Sequence, residues 1–176
     1  MEKKENNCEK LNNKIEKSFI INLLKLMRPK QWIKNFFVFG ALIFSYSFLN
    51  LNKTIAALIA FILFCLISST VYIMNDILDV EKDRVHPKKR FRPIASGAIS
   101  IKQATIALVV LLAISMISSF MINKGLFFIL VLYFINNIFY SFKIKNIVIL
   151  DVISIAVGFI LRVIAGGVAI DVSLSG

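Results

Sequence analysis

The sequence is poor in the residues that build disulfide frameworks, histidine sites and kinked helices. Its 176 residues include two cysteines, one histidine and three prolines. Cys8 lies near the N-terminus and Cys65 lies in the middle of an apolar run, so we expect neither a disulfide nor a shared metal site between them. The histidine, His86, is followed directly by a proline, and we interpret it as a loop residue and not as a catalytic base.

The positions of the prolines argue against interrupted membrane helices, and the N-terminal residues argue against a signal peptide. Pro29, Pro87 and Pro93 all fall outside the apolar runs. Because proline breaks the interior of a helix, their position favours uninterrupted helices within those runs. The first 30 residues contain no continuous apolar stretch of the kind that a secretory signal peptide has, so we expect no cleavable signal.

Apolar residues, by contrast, are abundant. Hydrophobic residues make up 58% of the chain, 16 residues are phenylalanine, and the mean hydropathy is +0.79. These values exceed those of soluble domains, and several runs are long enough to cross about 30 Å of hydrocarbon. The sequence therefore predicts an all-α, polytopic integral membrane protein with about five spans, at roughly Trp32–Leu51, Thr54–Leu78, Ala104–Ile122, Leu126–Phe142 and Ile147–Ile170.

Basic residues collect on alternating connections between these runs. The chain has 21 basic and 10 acidic residues, and 18 of the 21 lie before residue 35, within 82–102, or at Lys143 and Lys145. By the positive-inside rule, the N-terminus and these two loops are predicted to be cytoplasmic, in a multi-pass protein of the cell (inner) membrane. Since the charge is spread over three loops at the membrane edge, it indicates contact with anionic lipid and no binding of nucleic acid.

The first 30 residues are predicted to form a cytoplasmic tail, ahead of a transmembrane domain over residues 31–176. Apolar residues recur at helical spacing between Leu11 and Leu26, among lysines and glutamates. This pattern predicts a helix that lies on the membrane surface before Pro29. A disordered tail over residues 1–18 is the alternative.

The motif NDILDVEKD, from Asn75 to Asp83, carries the strongest chemical signal. It places three carboxylates, Asp76, Asp79 and Asp83, at the cytoplasmic end of the second apolar run. On a helix of about 3.6 residues per turn, steps of three and four residues keep all three on one face. Clustered carboxylates repel one another and need a counter-charge, which Mg²⁺ would supply while taking its other ligands from phosphate and water. A solvated helix cap, or an ordinary exit from the membrane, is the alternative.

A basic strip, KKRFRP, follows this motif at Lys88–Pro93. Its cations would hold the phosphate oxygens that a metal leaves free, and arginine is favoured for bidentate contact. Carboxylates for a metal and a basic loop for phosphate, both at a membrane surface, predict an enzyme that acts on a diphosphate.

Charged residues inside the fifth predicted span indicate a polar cavity. Asp151 and Arg162 are eleven residues apart, which at about 100° per residue is three turns plus about 20°, and Gly158 lies on the same stripe. We expect this face to line a cavity, with Asp151 near its cytoplasmic mouth and Arg162 about 16 Å deeper. The alternative is that each charge meets a neighbouring helix and only holds the bundle together.

Other polar and small residues within the spans predict contacts between helices. Asn136 and Asn137 are expected to donate hydrogen bonds across helices. The run Ala165, Gly166 and Gly167 is typical of close helix packing.

Four motifs together resemble the UbiA superfamily of membrane prenyltransferases. They are RPKQWIKN (Arg28–Asn35), NDILDVEKDRVHPKKRFRPIASG (Asn75–Gly97), YSFKIKN (Tyr140–Asn146) and LDVISIAVGFILRVIAGGVA (Leu150–Ala169). Within the superfamily, HPKKRFRPIASG and the spacing from Lys145 to Asp151 are most similar to the branch of decaprenyl-phosphate phosphoribosyltransferases. The resemblance runs from Arg28 to the end of the chain.

The resemblance implies that a phosphoribosyl group passes from 5-phosphoribose 1-diphosphate to a polyprenyl phosphate, with Mg²⁺ or Mn²⁺ as cofactor. The implied metal ligands are Asp76, Asp79 and Asp83, and the implied catalytic residues are these three with Lys145 and Asp151. Residues implied to bind substrate are Asn75, Arg84, Lys89, Arg90, Arg92, Tyr140 and Arg162.

Two other functions stay open. A UbiA prenyltransferase would use the same aspartates to move a prenyl group from a prenyl diphosphate to an aromatic or other acceptor. A membrane protein without catalytic activity is the second alternative. Superfamily members usually have nine transmembrane helices, whereas this chain ends at Gly176 after the fifth predicted span, so we expect that the C-terminal helices are missing and that the chain alone is inactive.

Overall fold

The computed structural model describes residues 18–142 and 148–172. Every regular secondary-structure element in these ranges is a helix, and they contain no strand. The predictions for Cys8, Leu11, Lys143 and Lys145 lie outside the described residues. The α-helices are α1 (Ser18–Met27), α2 (Gly40–Phe44), α3 (Leu51–Leu78), α4 (Val80–Val85), α5 (Ile101–Ile122), α6 (Lys124–Phe142) and α7 (Val148–Ala169). Three 3₁₀ helices lie at Pro29–Phe39, Ser47–Leu49 and Lys89–Phe91.

Four helices in the described part of the chain are long and apolar enough to cross a membrane. These are Leu51–Leu78, Ile101–Ile122, Lys124–Ser141 and Ile149–Ala169. They match the last four predicted runs and confirm an all-α, multi-pass membrane protein.

The first predicted run, Trp32–Leu51, does not form one long α-helix and is not among the four helices of the described residues that are long and apolar enough to cross a membrane. The chain there is a 3₁₀ helix, then the five residues of α2, then a short 3₁₀ turn that follows Tyr46 in a left-handed conformation. The 3₁₀ helix Pro29–Phe39 packs against both α3 and α7. Hydropathy depends only on composition, so it could not predict that contacts with α3 and α7 would determine the conformation of this segment.

Local sequence explains where the long helices begin. Asn50 caps α3 by accepting a hydrogen bond from the backbone N–H of Lys53 at 3.3 Å. Ser100 and Gln103 form a capping box at the start of α5, which satisfies two amide groups that the helix leaves unpaired. The end of α3 matters more for function, because Asp79 (φ −97°, ψ 9°) lies between α3 and α4.

The core forms where α3 meets α5, α6 and α7. Its largest fully buried side chain is that of Phe64, which packs with Leu130 and Ala165 in one cluster. Gly166 confirms the predicted close packing, since a Cβ at this position would lie 1.8 Å from the carbonyl oxygen of Val38. This contact fixes α7 against the 3₁₀ helix and so positions the polar residues that both carry.

Candidate active site

Two carboxylates, one near the end of α3 and one in α4, are buried and paired with arginines. Asp76 and Asp83 are each 2% exposed. Arg92 Nη1 lies 3.2 Å from Asp76 Oδ1 and 2.5 Å from Asp83 Oδ2, so one guanidinium bridges the two carboxylates. Arg28 Nη2 also donates to Asp76 Oδ1. We call these four residues the carboxylate–arginine cluster.

Arg28 reaches this cluster because of an unusual backbone turn. It has a left-handed conformation (φ 53°) between α1 and the 3₁₀ helix that begins at Pro29. Its guanidinium also lies over the ring of Tyr72, 5.2 Å from the centroid. A cation held between a buried carboxylate and an aromatic face is fixed in position by both contacts.

The three aspartates do not form the cluster that the sequence predicted. Asp79 lies at the junction where α3 stops, so the motif does not run along one continuous helix face. In the described ranges, no three His, Cys, Asp or Glu side chains lie close enough to hold a metal ion together. The counter-charge that the buried carboxylates need comes from Arg28 and Arg92.

The donor set nevertheless suits a hard cation. Carboxylate oxygens are the protein ligands that Mg²⁺ prefers. Oxygens of Asp76 and Asp83 lie within 3.2 Å of the same nitrogen of Arg92, so the two carboxylates already converge on one positive charge. Asp83 would be available to a metal once Arg92 had moved to another anion, whereas Asp76 would still accept a hydrogen bond from Arg28.

The remaining predicted phosphate-binding cations lie on the surface. Lys89 and Arg90 are exposed in the loop after α4, and Arg90 lies over the ring of Phe91 at 4.9 Å. Arg84 pairs with Glu81 at 2.9 Å, also on the surface. The structure thus brings Arg92 to the carboxylates and leaves the other three cations facing outward.

His86 lies in this loop, as the sequence predicted, and its side chain organises the turn. Its Nδ1 accepts hydrogen bonds from the backbone N–H groups of Lys88 and Lys89, at 3.1 and 3.2 Å. The imidazole therefore shapes the turn that presents the basic strip.

A cavity of about 220 Å³, lined by both polar and apolar side chains, lies beside the cluster. Its walls come from the 3₁₀ helix Pro29–Phe39 and from α3, α6 and α7. The lining residues are Lys34, Val71, Tyr72, Asn75, Tyr133, Asn136, Asn137, Tyr140, Ser154, Ile155, Gly158, Phe159 and Arg162.

Arg162 lies deep in this cavity wall and is 5% exposed. Its Nε donates to Asn35 Oδ1 at 2.8 Å, one terminal nitrogen donates to the carbonyl oxygen of Gly158 at 2.7 Å, and the other donates to the Tyr133 hydroxyl at 3.0 Å. The guanidinium also lies 5.5 Å from the ring centroid of Phe159. The predicted polar face of α7 is therefore present at Gly158 and Arg162.

Asp151 occupies a different position from the one predicted. It does not line the cavity, although it shares a hydrogen bond with Tyr140, which does. Its Oδ1 atom is buried and has no hydrogen-bond partner in the described part of the chain. Asp151 thus supports a residue of the cavity wall and does not face the cavity itself.

The two asparagines of α6 behave differently. Asn136 joins α6 to α7 through two hydrogen bonds of 3.1 Å to Ser154, as predicted. Asn137 donates to the carbonyl oxygen of Tyr133 on its own helix, so the prediction of an interhelical bond is wrong there. Adjacent residues on a helix point about 100° apart, so the two asparagines face different neighbours.

The cavity and the carboxylate–arginine cluster adjoin one another at Asn75 and Tyr72. Asn75 lines the cavity and directly precedes Asp76 on α3, and its Oδ1 accepts a hydrogen bond from Ser141 at 2.5 Å. Tyr72 lines the cavity, and its ring also contacts the guanidinium of Arg28. A ligand bound in the cavity would therefore be next to groups held by the cluster.

Several site residues were not singled out from the sequence, among them Arg28, Lys34, Asn35 and Tyr133. Asn35 is fully buried and also donates to Ser68 at 3.1 Å. The available signal was the motif RPKQWIKN, which contains the first three of them. Nothing in the spacing of Tyr133 separates it from the many aromatic residues that face lipid or core.

A family model described as the UbiA prenyltransferase family matches residues 35–176. The chain belongs to this family. It is 36% identical over 165 residues to the decaprenyl-phosphate phosphoribosyltransferase of Mycolicibacterium smegmatis, covering 90% of this chain and 51% of the relative. It is 38% identical over 163 residues to the enzyme of the same name from Corynebacterium glutamicum, covering 90% and 49%.

The fold of this UbiA family member also matches a solved structure. A UbiA homolog from Archaeoglobus fulgidus, bound to GPP and Mg²⁺, superposes with a TM-score of 0.66 at 25% identity, over 82% of this chain and 52% of that chain. The chain spans about half the length of the curated relatives it matches.

Proposed function

We propose that this protein acts in the transfer of a phosphoribosyl group from 5-phosphoribose 1-diphosphate to a polyprenyl phosphate. The observation that carries the proposal is the identity of 36–38%, over 90% of the chain, to enzymes named decaprenyl-phosphate phosphoribosyltransferase. The site supports it, because buried carboxylates, a basic loop and a polar cavity adjoin one another at the end of α3.

In the proposed reaction, a phosphate oxygen of the lipid forms a bond to C1 of the ribose as the bond between C1 and the diphosphate oxygen breaks. The attacking oxygen is already anionic, so no general base is required. The diphosphate leaves with the bonding electrons, and the developing charge must be neutralised.

We propose Mg²⁺, with Mn²⁺ as a substitute, as the cofactor. Asp76 and Asp83, which converge on Arg92, would hold it, and Asp79 would join them at the junction of α3 and α4 when the metal binds. A bound divalent cation stabilises charge on a leaving diphosphate, and the relative from Archaeoglobus fulgidus was solved with Mg²⁺. Arg92 would leave the carboxylates when they bind the metal and would then pair with a phosphate. Lys89 and Arg90, exposed beside it, would hold the remaining phosphate oxygens.

Lys145, Asp151, Arg84 and Asn75 have supporting roles in this proposal. Asn75 would orient Asp76 or contact a phosphate oxygen, while Asp151 would position Tyr140 through their shared hydrogen bond. Arg84 would add positive charge near the basic strip, and Lys145, which lies outside the described residues, would have the catalytic role that the resemblance implies. We also propose that this end of the bundle faces the cytoplasm, since the basic residues collect there.

Transfer of a prenyl group is the second candidate function. It is favoured by the solved UbiA homolog, which was bound to GPP. Both reactions use a diphosphate leaving group, so the carboxylates would serve either one. The basic strip at Lys88–Pro93 favours the ribose donor over a prenyl diphosphate. A ribose donor carries an additional 5-phosphate, and the strip provides more cations than a prenyl diphosphate needs.

The test is a transfer assay on membranes from cells that express this chain together with the C-terminal helices of a relative, with radiolabelled ribose donor, a polyprenyl phosphate and MgCl₂. We expect a labelled lipid that is lost in EDTA and restored by added Mg²⁺. The variant Asp83→Asn is expected to be inactive, whereas Glu81→Gln, which removes an exposed carboxylate two residues away, should be active. Consumption of a prenyl diphosphate with no use of the ribose donor would establish the second candidate.

A further inference from the structure

Arg92 occupies the position between two buried carboxylates. Its Nη1 atom lies 3.2 Å from Asp76 Oδ1 and 2.5 Å from Asp83 Oδ2, and both aspartates are 2% exposed. A metal ion that bound both of them would need the same position. Because two positive charges at so short a distance repel one another, Arg92 and a metal ion exclude each other from this pair of carboxylates.

The other arginine of the cluster, Arg28, is held in place through its neighbours in the chain. Ser69 Oγ is within hydrogen-bond distance, 3.0 Å, of the carbonyl oxygen of Met27, and Trp32 Nε1 donates to the same hydroxyl at 3.0 Å. The chain on both sides of Arg28 is therefore attached to one residue of α3. The guanidinium itself lies over the ring of Tyr72 on that helix. Arg28 is thus fixed beside its carboxylate, and a change of partner at the cluster falls to Arg92.

Arg92 follows an exposed segment of the loop after α4. The three residues before it, Lys89–Phe91, form a short 3₁₀ helix and are all exposed. The Arg92 side chain is 27% exposed, so rotation about its own bonds can carry the guanidinium to the surface. Ile94, two residues later, is 2% exposed and belongs to a core cluster with Leu26 and Ile73. The main chain is therefore anchored while the side chain changes partner.

The charges of the cluster determine which ligand can displace Arg92. Two carboxylates and two guanidinium groups leave the cluster with no net charge. A divalent cation alone would add an excess of two positive charges near the exposed Lys89 and Arg90. A diphosphate that arrives with the cation offsets this excess, and its oxygens can accept bidentate hydrogen bonds from an arginine. The displaced arginine therefore gains a new anionic partner only when both ligands are present.

We propose that Arg92 makes the metal site selective for a divalent cation that is accompanied by a diphosphate. Without a diphosphate, Arg92 holds Asp76 and Asp83 together and excludes the bare ion. With a diphosphate, Arg92 moves to the phosphate oxygens and the carboxylates accept the metal. Each ligand thereby raises the affinity of the protein for the other. This inference rests on the proposed function only for the diphosphate, which both candidate donors carry, and it adds the residue that determines which form of the metal binds.

The test compares Arg92→Gln with the unchanged protein, each consisting of this chain together with the C-terminal helices of a relative, purified in detergent. Binding of Mn²⁺ alone is followed by the loss of the electron paramagnetic resonance signal of the free ion. Binding that is lost in Asp83→Asn identifies the site at this pair. We expect Arg92→Gln to bind Mn²⁺ alone roughly ten- to a hundredfold more tightly, because the ion no longer has to break charge-assisted hydrogen bonds.

The second measurement is binding of ³²P-labelled pyrophosphate in the presence of Mn²⁺. Arg92→Gln should weaken it by roughly tenfold or more, since the variant lacks the arginine that would pair with a phosphate. Affinity for the bare ion and affinity for the metal–diphosphate pair should therefore change in opposite directions. A folded Arg92→Gln protein whose affinity for Mn²⁺ alone is unchanged or lower would overturn the proposal.

Lys82→Gln is the matched control for the loss of one positive charge. Lys82 is exposed, directly precedes Asp83 in the sequence, and takes part in none of the ion pairs between described residues. Its replacement should leave the affinity for Mn²⁺ alone unchanged. A rise as large as that of Arg92→Gln would mean that net charge determines metal binding, and it would contradict a specific role for Arg92.

Thermal unfolding provides a readout that applies even if the variant is unstable without metal. Arg92→Gln removes the arginine that pairs with Asp83, so Mn²⁺ should raise the Tm of this variant by more than it raises the Tm of the unchanged protein. A variant that is unfolded in EDTA should be recovered as folded protein when it is purified in Mn²⁺. Equal increases in Tm, or a variant that is unfolded under both conditions, would refute the exchange.

The outcome is separable from that of the proposed function. A protein that shows the opposite shifts but transfers no phosphoribosyl group would refute the proposed function and keep the role of Arg92. A protein that transfers the group, while Arg92→Gln weakens binding of Mn²⁺ alone, would refute this inference and keep the proposed function.

Discussion

Replacing Asp76 by asparagine should destabilise the protein strongly, although the two side chains have nearly the same shape. Asp76 is 2% exposed and is paired with both Arg28 and Arg92. Removing one partner of a buried ion pair costs about 3–5 kcal/mol, because the remaining charge is left uncompensated. The asparagine oxygen still accepts a hydrogen bond, so we expect the lower end, about 3 kcal/mol.

For a chain of this size, that loss corresponds to a decrease in Tm of about 6–12 °C, measured by thermal unfolding of the purified protein in detergent. Glu81→Gln is the matched control, because Glu81 is 77% exposed and pairs with Arg84 only at the surface. Its Tm should change by no more than about 2–4 °C, since a surface ion pair contributes at most about 1 kcal/mol. An Asp76→Asn protein as stable as the Glu81→Gln protein would refute the idea that the cluster is a buried ionic network.

Two further predictions follow from the packing and the basic loop. Gly166→Ala should lower the Tm by about 2–12 °C, since a Cβ would collide with the carbonyl oxygen of Val38 and overpacking costs about 1–3 kcal/mol. Gly40→Ala is the control and should not lower the Tm, because its Cβ has nothing closer than 3.9 Å. Equal Tm values for the two variants would contradict the contact with Val38. Arg92→Gln and Arg90→Gln should both weaken binding of the ribose donor, by roughly tenfold or more, but only Arg92→Gln should also lower the Tm, because only Arg92 pairs with buried carboxylates.

Most of the fold could be predicted from the sequence, because hydropathy and charge placement report directly on the membrane. The four long helices match four predicted runs. The segment from Pro29 to Leu49 could not be predicted in this way, since its 3₁₀ geometry depends on contacts with α3 and α7 that are distant in sequence.

The candidate site was predicted in its parts but not in its connections. The spacing of Asp76 and Asp83 indicated that they would need a counter-charge, but not that Arg28, 48 residues earlier, would provide part of it. Likewise, the stripe of Gly158 and Arg162 predicted a polar cavity. Arg162 is held by Asn35 and Tyr133, which come from two other helices. Helical periodicity within one segment carries no information on such partners.

The central claim, that the protein transfers a phosphoribosyl group, is tested most directly by competition between the two candidate donors. Membranes that contain this chain together with the C-terminal helices of a relative are given ¹⁴C-labelled 5-phosphoribose 1-diphosphate, ³H-labelled geranyl diphosphate, Mg²⁺, a polyprenyl phosphate and an aromatic acceptor, and the lipid products are separated and identified by mass. We predict ¹⁴C in a phosphoribosylated polyprenyl phosphate and no ³H in a prenylated acceptor. A product that carries ³H and no ¹⁴C would contradict the account.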